Sequence, residues 1–529
     1  MAEIGIRIAL KPFFRLRQIA FYFLIALIFP SLILAQLSEK NINNRKKIEL
    51  LHADQMKRDD KMGSDFIKLL GAVRLKDPAN NVLMFCDSAY VFQNTKRVRS
   101  FSKVHIKQGD TLDIYGNYLF YDGLEQKVTM TGNVELVDKE THLYTSSIKY
   151  DVANKVASYT ENGRITNAKN ILTSTIGIYF ADKKMFHFKD SVKIVNPNYV
   201  MTGDTMDYNT LSETAFFSGP SEVKGDSIYM YSERGWYDTK KDVMRIWKNS
   251  LINNKQQIIK GDSLYYEKKS GFGLAFGNIS IVDTTRNVMV KGNYAWYTKK
   301  PEKFLVTDKA MFIQISKGDS LFLHSDTISA VMVTNSAGKS FRLMRAYYGC
   351  RIFSKDLQSK CDSLSYSFQD SVIRLYHAPV IWSEENQLTS DSIAIFTKNR
   401  QTERMELYNS AFIAINVDSS RYNQIKGKSL IGYFSDNKLF KITIEGNSET
   451  IYFLVDKDGQ VGVNRVKSSS IEIYVDKGKI MEIYFHQNPD GKLDPPLLNS
   501  PETLKLPGFS WLDKLRPKKV SDIFSDKLK

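Results

Sequence analysis

Residues 259–266 read Ile-Lys-Gly-Asp-Ser-Leu-Tyr-Tyr, IKGDSLYY. Ser263 in this stretch is either an acyl-transfer nucleophile or part of a backbone turn, and the two readings demand different folds. The string is not unique in the chain. Gly-Asp-Ser/Thr followed by an apolar residue recurs as GDTL (109–112), GDTM (203–206), GDSI (225–228) and GDSL (318–321). CDSA (86–89), CDSL (361–364) and SDSI (390–393) replace the glycine. A nucleophile is needed once, whereas a turn is needed at every strand junction. Glycine allows an unusual backbone angle, Asp accepts backbone N–H bonds, and Ser or Thr opens a strand. Cys86 and Cys361 then occupy the glycine slot of a structural repeat.

A second recurrent piece is a glycine-containing turn followed by an alternating run that ends in Asp. It occurs as LGAVRLKD (70–77), TGNVELVD (131–138) and FGNISIVD (276–283). In TGNVELVD, Val134 and Leu136 point one way and Glu135 the other. Alternation with period two, bounded by Gly, Asn, Asp and Ser, predicts strands and hairpins. YDGLEQK (121–127), YDVANKV (150–156) and FADKKMF (180–186) read as the polar loops of such hairpins. No extended helical periodicity lies between residues 65 and 485. The anchor aspartates 87, 110, 204, 226, 262, 319, 362 and 391 are unevenly spaced, which disfavours a solenoid with constant rungs. The predicted fold is all-β: a tandem or extended β-jellyroll of short antiparallel strands.

The 529 residues suggest about three domains. With 43% hydrophobic and 25% charged residues, the chain can bury a sizeable core. The first 35 residues read as a signal peptide. Arg7, Lys11, Arg15 and Arg17 precede an apolar run from Ile19 to Leu34, and Ala35 precedes Gln36 at a plausible cleavage point. An uncleaved anchor is the alternative. Of the formal charge of +16, the leader holds four basic residues against Glu3, which leaves about +13 on the rest. A basic exported protein suits anionic partners such as phosphorylated glycolipid, membrane surface or acidic polysaccharide, and not nucleic acid. Three cysteines, Cys86, Cys350 and Cys361, make no disulfide framework. Six of the 13 prolines fall in 488–529, which reads as a basic Pro-rich tail that packs on the last sheet or captures a partner. The jellyroll regions are expected at 46–210, 211–345 and 346–487.

Enzyme chemistry finds little support. A GDSL-type esterase needs an oxyanion-hole donor block and a histidine base. The chain has no Asn-Asp dipeptide, and none of its seven histidines follows an Asp by three residues. AGKS (337–340) has Val333 where a phosphate-binding loop needs glycine, and GFGLAFG (271–277) precedes no helix. DKDGQ (456–460) and NPDGKLD (488–494) lack the full calcium-loop pattern and read as turns. The histidines show no metal-ligand spacing. No catalytic residue, metal site or cofactor is expected.

The order of the strands carries a family resemblance. An export signal precedes IELLHADQM (48–56), FIKLLGAVRLKD (66–77), VLMFCDSAYVF (82–92) and VTMTGNVELVD (128–138). Over residues 46–210, and more loosely to about 485, this resembles the OstA/LptA family, in a long form of the Bacteroidetes type. The resemblance implies β-jellyrolls that stack end to end through open sheet edges. It also implies a groove that carries lipopolysaccharide through the periplasm, with other Lpt-type proteins and an outer-membrane translocon as partners. Under it, Val73, Leu75, Leu112, Ile114, Val134, Leu136, Ile148 and Tyr150 become candidate groove residues, although each also suits plain core packing. Two rival readings remain at this point: a surface or outer-membrane structural β-protein, and a polysaccharide-acting enzyme on a β-scaffold.

Overall fold

The computed structural model describes residues 48–58, 66–110, 112–167, 169–316, 318–398, 401–418, 420–455, 461–476, 479–495 and 504–525. The predicted signal peptide, the turn DKDGQ and Thr111 of GDTL lie outside them. The described residues form two compact units, divided between Glu161 and Asn162. Each is built almost wholly from antiparallel strands, and three 3-10 turns are the only other regular structure among the described residues.

Both units fold by one device. Long strands such as Lys127–Asp138 and Phe272–Asp283 contain two consecutive residues in the left-handed region, Gly132–Asn133 and Gly277–Asn278. Gly71–Ala72, Ser102–Lys103, Asp190–Ser191, Asn409–Ser410 and Gly446–Asn447 are corners of the same kind. The register slips at each corner, for instance between Phe276 and Ile279 opposite Lys260 and Ser263. The ladder resumes beyond it. The Gly-Asn pairs predicted as turns that open strands are therefore bends inside strands. Two left-handed residues swing the chain aside without ending its pairing, as a β-bulge does.

The consequence is clearest in residues 302–398, where the half-strands separate into two ladders. Glu302–Thr307 pairs with Thr327–Thr334, and Met311–Gln314 pairs with Leu321–His324. One ladder continues through Ser340–Tyr347, Ser363–Ser367, Val372–Tyr376 and Ser392–Lys398. The other continues through Cys350–Phe353, Gln358–Cys361, Val380–Ser383 and Asn386–Thr389. These are the two sheets of a β-jellyroll sandwich, joined by corners.

The Asp anchors divide into two sets. Asp87, Asp204 and Asp262 lie mid-strand, and Asp362 and Asp391 lie at the equivalent junction, in the short break between two half-strands. Around these corners the Asp meets the bend of the next strand. Ser102 Oγ donates to Asp87 at 2.6 Å, and Asn278 Nδ2 donates to Asp262 at 2.9 Å. Asp110, Asp226 and Asp319 instead sit in loops between strands. Asp54 and Asp326 occupy the corner position without the recurrent string: their backbone N–H groups donate to Gly71 O and Tyr348 O, both at 3.0 Å.

The aspartates that end strands have another task. Asp283 Oδ1 accepts the N–H groups of Thr285 and Arg286, and Asp122 Oδ1 those of Leu124 and Glu125. Each satisfies turn donors that no strand can reach. All three cysteines are buried free thiols. Cys361 lies directly opposite Cys350 on the neighbouring strand, and that contact together with burial pushes its thiol up.

Candidate lipid groove

The eight candidate groove residues all lie in the interior of the first unit. Val73, Leu75, Leu112, Ile114, Val134, Leu136, Ile148 and Tyr150 are each buried. Leu75, Ile114 and Leu136 belong to one cross-strand row, linked through Met84 and Ile106. Val73, Leu112 and Val134 flank that row on the same sheet. Ile148 and Tyr150 stand on the other sheet, opposite Met130 and Val128. Alternation places them inward, and the corners bring the two sets face to face.

Polar cross-links draw the two sheets of this unit together at their outer margin. Tyr121 Oη donates to Asp77 Oδ2 at 2.6 Å, from one sheet to the other. Burial and the Asp77 carboxylate push the Tyr121 phenol far above its ordinary value, so it stays a donor. Tyr150 Oη donates to Gln108 Oε1 in the same manner, and Gln108 Nε2 donates to Val152 O at 3.0 Å. Sequence reasoning classed Tyr150 as apolar lining and passed over Tyr121, Asp77 and Gln108. Their partners lie 42–44 residues away, so no local pattern signals the link.

The second unit differs between residues 294 and 407. Its deepest inward row, Val306, Ile328, Ala346, Leu364, Leu375, Ile393 and Leu407, is buried. The next row outward on the same face is Phe304, Ala330, Met344, Tyr366, Ile373 and Ile395. All six are only half-buried. The matching row in the first unit starts at half-buried Ile67 and Val91 but closes over Val98, Tyr121, Val128 and Tyr150, each at most 1% exposed. A continuous inward-facing apolar row that water still reaches marks an open mouth. At its rim Arg342 Nη2 pairs with Glu302 Oε1 at 2.6 Å.

The outer face of the facing sheet is covered by the chain's own end. Met311 and Ile313 alternate with inward-facing Phe312 and form a cluster with Ile523, flanked by Val520, Phe322 and Phe353. Further along, Ile451, Phe453 and Val463 pack against Leu504 and Leu506. The segment expected as a tail thus opens with a short strand, Asp490–Asp494, and then lies across the sheet. Where it begins, a cleft of about 340 Å³ is ringed by Arg465, Lys467, Lys492 and Lys505, with Glu449 and Asp490.

The terminal strands offer edges. Glu49–His52 and Gln55–Arg58 are exposed throughout and pair with Phe66–Asp77. They carry exposed Leu50, Leu51 and Met56, and the last strands carry exposed Met481, Tyr484 and Leu493. Ser263 lies mid-strand between Trp247 and Phe276. Among the described residues no cluster of His, Cys, Asp and Glu could hold a metal ion, and no helix is long and apolar enough to cross a membrane.

Folded half-strands, paired sheets and an apolar interior define a β-jellyroll. The OstA-like protein family matches residues 45–204 and 206–309, and the chain belongs to that family. Among solved structures it is similar to LptH, described as the LptA-homologous periplasmic component of the lipopolysaccharide transport device of Pseudomonas aeruginosa. The identity is 15% and the TM-score 0.12, over 32% of this chain and 82% of that one. No curated protein matches the chain.

Proposed function

We propose that this chain is a non-enzymatic, periplasmic lipopolysaccharide-binding protein that forms part of a β-jellyroll bridge to the outer membrane. The observation that carries the reading is the half-buried inward row from Phe304 to Ile395. Acyl chains lying on that row would remove apolar surface from water at roughly 25 cal/mol per Å². Basic side chains of the rim and surface, Arg342 among them, suit the phosphates of the glycolipid head. The eight residues of the first unit are the floor of its own groove, reached by lipid when the sheets part. The exposed terminal strands suit β-strand addition to other Lpt-type proteins and to the outer-membrane translocon.

Photo-crosslinking in cells tests this. A photoreactive residue at Met344, Tyr366 or Ile373 is expected to yield lipopolysaccharide adducts, and depletion of the protein is expected to lower surface lipopolysaccharide. If no adduct forms at any of these positions or at the eight of the first unit, the chain does not carry the lipid.

A further inference from the structure

The covered outer face of the second unit is built to hold a peptide. Two glutamines, both at most 2% exposed, project from it. Gln424 Nε2 donates to Leu504 O at 2.7 Å while its Oε1 accepts Leu506 N–H at 2.8 Å. Gln387 repeats the pattern six residues on: Nε2 donates to Ser510 O at 2.7 Å, and Oε1 accepts Leu512 N–H at 2.7 Å. Each amide thus takes the C=O of one residue and the N–H of the residue two further on. A neighbouring β-strand would use the same pair of groups. Such contacts read main chain and not side-chain identity.

The register makes the surface continuous. A cross-strand row runs from Ile313 through Phe353, Gln358, Trp382, Gln387 and Gln424. Trp382 is fully buried although it faces outward, and its Nε1 also donates to Gln387 Oε1 at 3.2 Å. Arg516 reaches Gln358 Oε1 at 2.7 Å and Glu384 O at 2.9 Å. Phe509 packs on Phe412 and Tyr422, and Phe524 on His324. The tail therefore spans the sheet from Met311–Gln314 to Val461–Asp476. The inward row of that stretch, Leu323, Ile352, Ser359 and Ile381, is buried, and the half-buried row of the mouth belongs to the opposite ladder.

An unfilled mouth deprives a sandwich of part of its core on the inner face. We infer that the outer face of this sheet is a peptide-docking surface whose occupant is residues 504–525, and that the docked tail is a splint that holds the sheet in place while the mouth stands open. The lipid part of this inference rests on the proposed function; the splint itself does not.

The test uses the full chain. Leu512→Pro removes the N–H bonded to Gln387, and Ile523→Asp places a charge against Met311 and Ile313; both leave the sheet's own residues intact. A second variant pair, Gln387→Leu with Gln424→Leu, attacks the same bonds from the sheet side. Two readouts are taken. One is hydrogen exchange of the tail and of strands Val380–Ser383 and Asn386–Thr389. The other is labelling of Ser340–Tyr347 and Val372–Tyr376 by a diazirine-bearing fatty acid. Release of the tail is expected to cut protection of the two sheet strands tenfold or more, with strands of the first unit unchanged, and to lower labelling severalfold. Sheet strands that keep their protection once the tail is free would overturn the splint. Labelling that rises on release would also overturn it, because the tail would then be a plug. If the unaltered chain takes no label, the lipid reading fails, and the exchange result alone decides the splint.

Discussion

The carboxylate of Asp262 lies against the bare face of Gly277. A Cβ on Gly277 would collide with the Asp262 carboxyl, and Gly277 sits at φ +65°. The two residues come from the two recurrent pieces of the sequence, the Gly-Asp-Ser string and the Gly-Asn string. They meet because Gln257–Glu267 and Phe272–Asp283 bend at the same level. Asp54 lies on Gly71 in the same way.

Gly277→Ala combines a left-handed non-glycine residue with displacement of Asp262 from Asn278, and is expected to cost roughly 2–3 kcal/mol. In an Asp262→Ala background the collision is gone, and the further cost of Gly277→Ala should fall to about 1 kcal/mol. Denaturant unfolding of the four proteins in this cycle measures the coupling. Additive costs would separate the two residues.

Ser263 Oγ is buried and finds no hydrogen-bond partner among the described residues. Removing a buried hydroxyl that bonds to nothing is close to neutral. Ser263→Ala should therefore change stability by no more than about 0.5 kcal/mol. Ser263→Thr should be accepted equally, since Thr suits a strand and stands at the sister position Thr205. Thermal melting checks both.

Acid should loosen the hairpins. Burial alone would push the Asp122 and Asp283 carboxyls up, but turn N–H groups and the guanidiniums of Arg97 and Arg286 outweigh it and hold both below the ordinary value. A folded value below the unfolded one means that stabilisation is complete above about pH 4 and is lost as pH falls through the lowered folded values. Asp283→Asn keeps an acceptor for the turn and removes the titrating group. Its melting temperature should therefore fall less than that of the unaltered chain between about pH 5 and about pH 2, a window that brackets the ordinary carboxylate value. An equal fall would remove Asp283 from the acid response.

The tyrosine links predict how the first unit opens. Tyr121→Phe leaves the Asp77 carboxylate to Ala79 N–H and Asn80 Nδ2 of its own turn, and is expected to cost about 1–2 kcal/mol. Tyr121→Phe with Tyr150→Phe removes the two tyrosine cross-sheet bonds and leaves that of Gln108 Nε2 to Val152 O. Acyl-probe labelling of Leu112 and Leu136 should then rise severalfold. Unchanged labelling would show that the tyrosine bonds are not what keeps these sheets together.

Much of the fold was legible because a strand half-buried on one face writes its burial into every second residue. Val134 and Leu136 are inward, as their alternation with Glu135 requires. The recurrence of Gly-Asp-Ser showed that Ser263 belongs to a repeat. Less legible was the geometry of that repeat: Asp87 and Asp262 serve corners while Asp110 and Asp226 serve loops, although the local strings match. Which task falls to each depends on whether the next strand presents a bend opposite, a property of the pair and not of either segment.

The amino-acid order by itself determined the strand content, the inward residues of the first unit and the family pattern, because period-two alternation and turn chemistry act over a few residues. Only the tertiary structure decided where the sandwich closes and where it opens. Tyr121 and Tyr150 find Asp77 and Gln108 more than forty residues away, whereas the row from Phe304 to Ile395 stays within reach of water. The site of the tail was likewise decided in three dimensions. Gln387 and Gln424 look like ordinary polar strand residues until residues 504–512 cross the sheet and their main chain meets both amides. Hydrogen bonds and burial between distant segments follow from the register of the whole sheet, which no short stretch contains.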